Sequence, residues 1–252
     1  MNKQILFPVD FNTGVQLADY ANLFAHVDKK SFVGFFLRDF NKVARQKISE
    51  AQKITLQHDL QKEADQLSVD FDVIKNTTTN NLLLNQCRFS DLLIVNPLTE
   101  ENVQQLNNVF PDHFFELVAC PVFLAEDVTR PFEEILVLFD YDHSGLVALK
   151  SFLSFFGKVS REKKLTLLTV SPDDAPEIHL EKYLVSYLQK FFNDVGIAPL
   201  RKENLLEQVI SHASRLPRPV LVLGHSAIQL LNNHDLARQL THHQTAVFYS
   251  NI

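Results

Sequence analysis

The sequence predicts an α/β protein of two tandem domains, each a doubly wound parallel sheet covered by helices. Three observations predict it. Short, almost wholly apolar runs of strand length alternate with longer segments of helical period. Strands of that unbroken apolar character are buried on both faces, as in parallel sheets. The pattern is also written twice: "ILFPVDF" from Ile5 and "ILVLFDYD" from Ile135 both end on an aspartate, Asp10 and Asp140, 130 positions apart.

The elements follow in order. In the first half strands are expected near 4–10, 31–37, 69–74, 91–95 and 121–125, and helices near 13–27, 43–67, 79–88 and 101–118. After the first aspartate, Val15, Leu17, Ala18, Ala21, Leu23, Phe24 and Ala25 recur at helical spacing. In the second half strands are expected near 134–140, 164–170, 219–223 and 245–250, and helices near 144–157, 177–195, 203–215 and 227–240. A further strand around Ile197–Arg201 is weakened by Pro199. The halves also close alike, "CPVFLAED" against "TAVFYSNI", with Val122-Phe123 matching Val247-Phe248. The charged segment Glu126–Glu133, which contains a proline, fits a domain boundary. The expected domains are 1–127 and 132–252.

The bulk numbers restrict the function classes. The chain has 252 residues and is 46% hydrophobic, enough for one large or two ordinary domains. A formal charge of −6, with scattered lysines and arginines, makes no case for nucleic acid or anionic membranes. No apolar run approaches a membrane span. "MNKQILFPVDF" is too briefly apolar for a signal peptide. Cys87 and Cys120 form no disulfide framework and no metal cluster, and read as reduced, half-buried thiols. The expected compartment is the cytoplasm. Only 6 glycines occur, which weighs against loops that bring backbone N–H groups close to phosphate.

The layout resembles the tandem, two-domain form of the universal stress protein family. The residues that carry the likeness are "ILFPVDF", "DLLIVN" and "CPVFLAED" in the first half, then "EILVLFDYDHS", "PVLVLGHS" and "TAVFYS". The resemblance covers nearly the whole chain. It implies a Rossmann-like fold related to the adenine nucleotide alpha hydrolases. It also implies two nucleotide-binding features in the members that bind ATP. One is the aspartate after the first strand, which Asp10 and Asp140 match. The other is a glycine motif after the fourth strand: Gly, two residues, Gly, nine residues, Gly, then Ser or Thr. Glycines there admit phosphates to backbone donors at a helix start. The first half has Asn96, Thr99, Val109 and Phe110 at those positions, and Pro97 removes a donor. The second half keeps Gly224 and then has Ala227, Ala237 and Arg238. The resemblance therefore implies the fold, while the residues argue against family-typical ATP binding.

The same residues admit rival readings. "VLFDYDHSG" resembles the first motif of haloacid-dehalogenase-like phosphatases, with Asp140 as nucleophile, Asp142 as acid/base and Mg²⁺ as cofactor. The acidic pair Asp173-Asp174 follows the very next strand, too early for that family, so a helix-capping turn is the plainer reading. His225, His234, His242 and His243 show no i, i+4 pair on a confident helix, and His242-His243 are expected to diverge, so no metal site is expected. The phenylalanine-dense "SFLSFFG" and "FVGFFLRDF" suit a core or a subunit contact. GxSxG, a P-loop and GxGxxG are all absent.

The resulting expectation is a non-enzymatic binding or regulatory protein without a cofactor. ATP or another adenylate is disfavoured but kept as the alternative, and a Mg-dependent phosphohydrolase comes third. Any surviving or vestigial pocket is expected beyond the strand ends. It would be built from Asp140, Tyr141, Gly224, His225 and Ser226, with Asp10 and Asn96 as the first-half counterparts. The partner is an unknown protein or small molecule, not nucleic acid or membrane. The apolar closing strands are edge candidates that seek pairing. They point to a pseudo-two-fold monomer, or to a homodimer.

Overall fold

The computed structural model describes residues 2–9, 16–36, 49–74, 80–96, 114–170, 178–231 and 242–251. The chain divides into two compact units, Met1–Arg130 and Pro131–Ile252. The division falls inside the segment 126–133. Apolar residues of that segment are nonetheless buried: Val128 in the first unit and Phe132 in the second.

In unit 1 the elements run β1 (Lys3–Pro8), α1 (Leu17–Leu23), β2 (Lys30–Phe35), α2 (Glu50–Leu67), β3 (Asp70–Val73), α3 (Asn80–Cys87), β4 (Leu92–Val95), α4 (Phe114–Leu117) and β5 (Val122–Leu124). The five strands are parallel in the order β3-β2-β1-β4-β5. Every residue of β4 is buried, as a parallel strand covered on both faces requires. Around Phe7 the rings of Tyr20, Phe32 and Phe71 lie at centroid distances of 4.8, 6.2 and 6.3 Å and fill the core. Helix α2 starts on a capping box. Ser49 Oγ accepts from Gln52 N at 3.2 Å, and Gln52 Oε1 accepts from Ser49 N at 3.0 Å.

Unit 2 runs β6 (Glu134–Phe139), α5 (His143–Ser160), β7 (Lys164–Val170), α6 (Ile178–Leu188), β8 (Asp194–Leu200), α7 (Leu205–Ala213), β9 (Pro219–Leu223), a 3₁₀ turn (His225–Ala227), α8 (Ile228–Leu231) and β10 (Ala246–Tyr249). Its strands are parallel in the order β8-β7-β6-β9-β10, the same order relative to the chain as in unit 1. Phe152, Phe155 and Phe156 of α5 are buried. Phe152 and Phe156 pack on Phe132 at 5.7 and 5.4 Å and on Phe248 at 5.4 and 6.3 Å. "SFLSFFG" is therefore core.

Three sequence expectations are corrected. The helix expected over 177–195 ends at Leu188, and the segment after it enters β8 at Asp194. The strand thought to be weak runs for 7 residues and pairs with β7 along its whole length, Pro199 included. Its place at the edge of the unit 2 sheet explains this, because a missing N–H there breaks no ladder between two central strands. The thiols of Cys87 and Cys120 are fully buried, not half-buried.

Candidate functional site

In both units the strand order reverses direction between the first and fourth local strands. Open α/β sheets place ligands beyond the carboxyl ends of strands at that point. In unit 2 the relevant ends are those of β6 and β9, which pair in register from Glu134↔Pro219 to Val137↔Val222. The structure thus brings the Asp140-Tyr141 end and the Gly224-His225-Ser226 end together.

Their chemistry is largely turned inward. Asp140 Oδ1 accepts from Asp142 N at 3.2 Å. Asp142 is the N-cap of α5, and its Oδ1 accepts from His143 N at 2.6 Å. Both aspartates therefore serve the strand-to-helix turn. Between them Tyr141 adopts φ 64°, a left-handed conformation uncommon for an aromatic residue. Its ring lies against Phe139 at 5.1 Å, and its hydroxyl donates to the Glu181 carboxylate on α6.

Gly224 is required to be glycine by close packing. A Cβ at this residue would lie 2.5 Å from the carbonyl carbon of Ser144 and 2.6 Å from the nitrogen of Gly145. The first turn of α5 therefore occupies the space that the missing side chain leaves. Gly145 is close-packed in turn, since a Cβ there would sit 3.2 Å from the Leu138 carbonyl oxygen. The hydroxyl of Ser144 accepts from Ser226 N at 3.3 Å and donates to Ser226 Oγ at 3.0 Å. A backbone donor at the point where a phosphate would be cradled thus already has a partner. Ala227 N donates to Gly224 O at 3.1 Å, closing the 3₁₀ turn, and Ala227 is buried. His225 is exposed.

In unit 1 the strand ends are arranged differently. Asn96 follows β4 at the place that Gly224 takes after β9. It is fully buried, and its Nδ2 donates to Ala125 O at 3.0 Å and to Glu126 O at 2.9 Å. The amide ties the end of β4 to the chain leaving β5. Below it the same rung occurs in both units: Ala125 N donates to Val95 O at 3.0 Å, and Ser250 N to Leu223 O at 3.1 Å. Asn96 Oδ1 and Glu126 Oε2 are enclosed and have no hydrogen-bond partner among the described residues. Burial pushes the Glu126 carboxyl above its ordinary range, and the neighbouring Asp127 charge adds to this.

Asp10, Pro97, Thr99, Val109, Phe110, Asp173, Asp174, His234, Ala237 and Arg238 lie outside the described residues. Among the described residues no group of three His, Cys, Asp or Glu side chains is placed to hold a metal ion. The His242 and His243 rings do not diverge as expected, because they meet edge to face at 5.0 Å. Sequence reasoning missed Ser144, Glu181 and Glu126. Only Ser144 carried a usable signal, as the residue beside a glycine in the first turn of a helix that must approach the sheet closely. Among the described residues no helix is long and apolar enough to cross a membrane.

No family model matches the chain, and no curated protein matches it. Solved structures do. A universal stress protein from Archaeoglobus fulgidus DSM 4304 superimposes with a TM-score of 0.61 over 98% of this chain and 96% of that one, at 13% identity. A protein described as a putative universal stress protein, from Pseudomonas aeruginosa UCBPP-PA14, gives 0.54 over 98% and 92%, at 15% identity. The cytoplasmic domain of a prokaryotic cation chloride cotransporter gives 0.50 over 99% and 95%, at 14% identity. At such identities the likeness establishes the fold. The chain has the universal stress protein fold over nearly its whole length.

Proposed function

We propose that this chain is a non-catalytic binding or regulatory module of the stress response, acting in the cytoplasm, and that it does not hold ATP in the manner typical of the family its sequence resembles. The observation that carries the reading is the closure of the β9 strand end. Ser144 and Gly145 fill the space beside Gly224, and the Ser144 hydroxyl takes the Ser226 N–H. A phosphate cradle needs open glycine faces and free donors. In unit 1 the buried Asn96 amide stands at the corresponding strand end and is bonded to the backbone. Titration calorimetry with ATP and AMP tests the proposal. No heat of binding is expected with ATP up to millimolar concentration, and an affinity of micromolar or better overturns it.

A second reading, an adenylate sensor with a modified pocket in unit 2, rests on Tyr141. Residues held in sparsely populated backbone conformations cluster at functional sites. Tyr141 adopts such a conformation at a switch-point strand end, next to Phe139 and tied to Glu181. Native mass spectrometry of the purified protein separates the readings, since co-purified adenylate favours the sensor and the same spectrum gives the oligomeric state. A phosphohydrolase ranks third, because Asp140 and Asp142 are both engaged in their own turn. Metal-dependent phosphatase activity that vanishes in Asp140→Asn would favour it.

A further inference from the structure

The opposite rim of unit 2, where the strands begin, carries a row of charges. Register pairs Glu134 of β6 with Lys164 of β7 on one side and with Pro219 of β9 on the other. The residues just before these three strands, Lys163, Glu133 and Arg218, therefore stand side by side, at about the 4.8 Å spacing of neighbouring strands. Glu133 is tied to Arg218 through backbone and side chain. Its N–H donates to Arg218 O at 3.0 Å, and its Oε1 accepts from Arg218 Nε at 3.0 Å and from Nη2. On the other side Lys163 is left without such a tie. Its Nζ lies over the Phe132 ring, 5.2 Å from the centroid, and among the described residues it makes no hydrogen bond or ion pair. Lys3, Lys30 and Lys53, by contrast, each hold an oxygen within 3.2 Å. The ring beneath Lys163 is fixed, since Phe132 is buried against Phe152 and Phe156.

We propose that Lys163 is a modification site, whose unpaired amine over Phe132 is acylated by small acyl phosphates ahead of its neighbour Lys164. The donor class follows from the charges. Two cations flank the single Glu133 carboxylate, and Arg218 Nη1 makes no hydrogen bond among the described residues. The row is thus net positive and suits an anionic donor with a phosphate leaving group. The reaction balances without a further reactant. Lys163 Nζ gives up the proton of its ammonium form to water. The neutral amine attacks the carbonyl carbon, the C–O bond to phosphate breaks, and phosphate departs with the electron pair. The second proton lost by the nitrogen passes to the phosphate. One C–N bond is gained, one C–O bond is lost, and nothing is oxidised or reduced.

The surroundings of the amine favour its reactive form. Lys163 is half-buried rather than enclosed. Burial holds its ammonium below the usual lysine range; the Glu133 charge opposes this, and the Arg218 charge adds to it. The Phe132 face attracts the ammonium, but the same ring takes water away from it, and the net direction is downward. A lysine desolvated on an apolar surface beside a second cation is an activated nucleophile. Arg218 contributes twice, by its own charge and by occupying the carboxylate that would otherwise pair with Lys163. Lys164 is the natural control. It is exposed, and register sets it beside Glu134 and Asp194.

The test incubates the full chain with acetyl phosphate in mildly alkaline buffer and follows each lysine by peptide mapping. Lys163 of the folded chain should be acetylated at least about threefold faster than Lys164, and the preference should vanish in urea. The pH at which the Lys163 rate reaches half its limit should be lower in the folded chain than in the denatured one. In Arg218→Gln the Glu133 carboxylate is released to pair with Lys163, whose rate should fall to that of Lys164. If this variant fails to fold, the native and denatured parent chains decide the matter. Equal rates at Lys163 and Lys164 in the folded parent would overturn the proposal, as would a Lys163 preference that survives denaturation. An unchanged Lys163 rate in folded Arg218→Gln would do the same.

Discussion

Alanine at position 224 would put a methyl carbon within 2.6 Å of the α5 backbone, at the Ser144 carbonyl and the Gly145 nitrogen. Backbone cannot rotate away as a side chain can, so Gly224→Ala should destabilise the chain by about 3 kcal/mol, the upper end of the overpacking range, in denaturant titration. Equal stability of variant and parent would mean that α5 is free to move. Glu126 makes a pH-dependent prediction. Its carboxyl is raised above the ordinary value of 4.5 by burial, so the folded chain holds this proton more tightly than the unfolded chain. That contribution to stability is present below the ordinary value and is lost as pH rises through the raised folded value. Glu126→Gln should therefore be more stable than the parent at about pH 7, with the advantage gone at about pH 4. A difference that is the same at both pH values would rule out Glu126 as its source. The sequence marks the positions of Asp140, Gly224 and Asn96 as strand ends. It does not reveal what they do there. Gly224 depends on the approach of a helix that begins 81 residues earlier, at His143, and Asn96 on carbonyls brought alongside by β5.

Helices α2 and α5 are of equal length, 18 residues, yet they are held very differently. Along α2 only Ala64 is buried, and Ile54 and Leu56 remain exposed. Its ties include the Ser49 capping box, and Glu63, whose two carboxylate oxygens each accept a backbone N–H of α1, from Leu17 and Ala18 at 2.9 Å. By contrast α5 buries Ala148, Leu149, Phe152, Phe155 and Phe156. Most helix stability in proteins comes from packing of an apolar face. Amide hydrogens of α2 should thus exchange through an opening of lower free energy than those of α5, and Ser49→Ala should weaken α2 further by about 1 kcal/mol. Equal protection in the two helices would show that α2 opens only with the whole unit. Strand and helix types were legible here because buried parallel strands such as Leu92–Val95 are unambiguous. The boundary after α6 was not legible. The residues from Gln189 to Asn193 continue a helical pattern, but Asn193 N is taken by Arg161 O at 3.1 Å and the chain turns into β8. That partner lies in another part of the sequence, so no local signal announces the break.

The sequence likeness of "ILFPVDF" and "ILVLFDYD" is matched by the strand order, which is the same in each unit. Repetition of layout does not make the cores alike. Unit 1 gathers Phe7, Tyr20, Phe32 and Phe71, whereas unit 2 gathers Phe132, Phe152, Phe156 and Phe248. The rings named in each cluster belong to a single unit, so a core lesion should be felt locally first. Among the described residues Phe156 touches the rings of Phe132, Phe152, Phe155 and Phe248. Its truncation to alanine should cost about 3–5 kcal/mol, a large share of the roughly 5–15 kcal/mol that holds a domain folded. Hydrogen exchange of Phe156→Ala should then show protection falling in β6, β7 and β9 by several orders of magnitude while β1, β2 and β4 keep most of theirs. Parallel loss in both sets of strands would mean that the units unfold as one cooperative body, and the repeat would then describe the ancestry of the chain rather than its energetics.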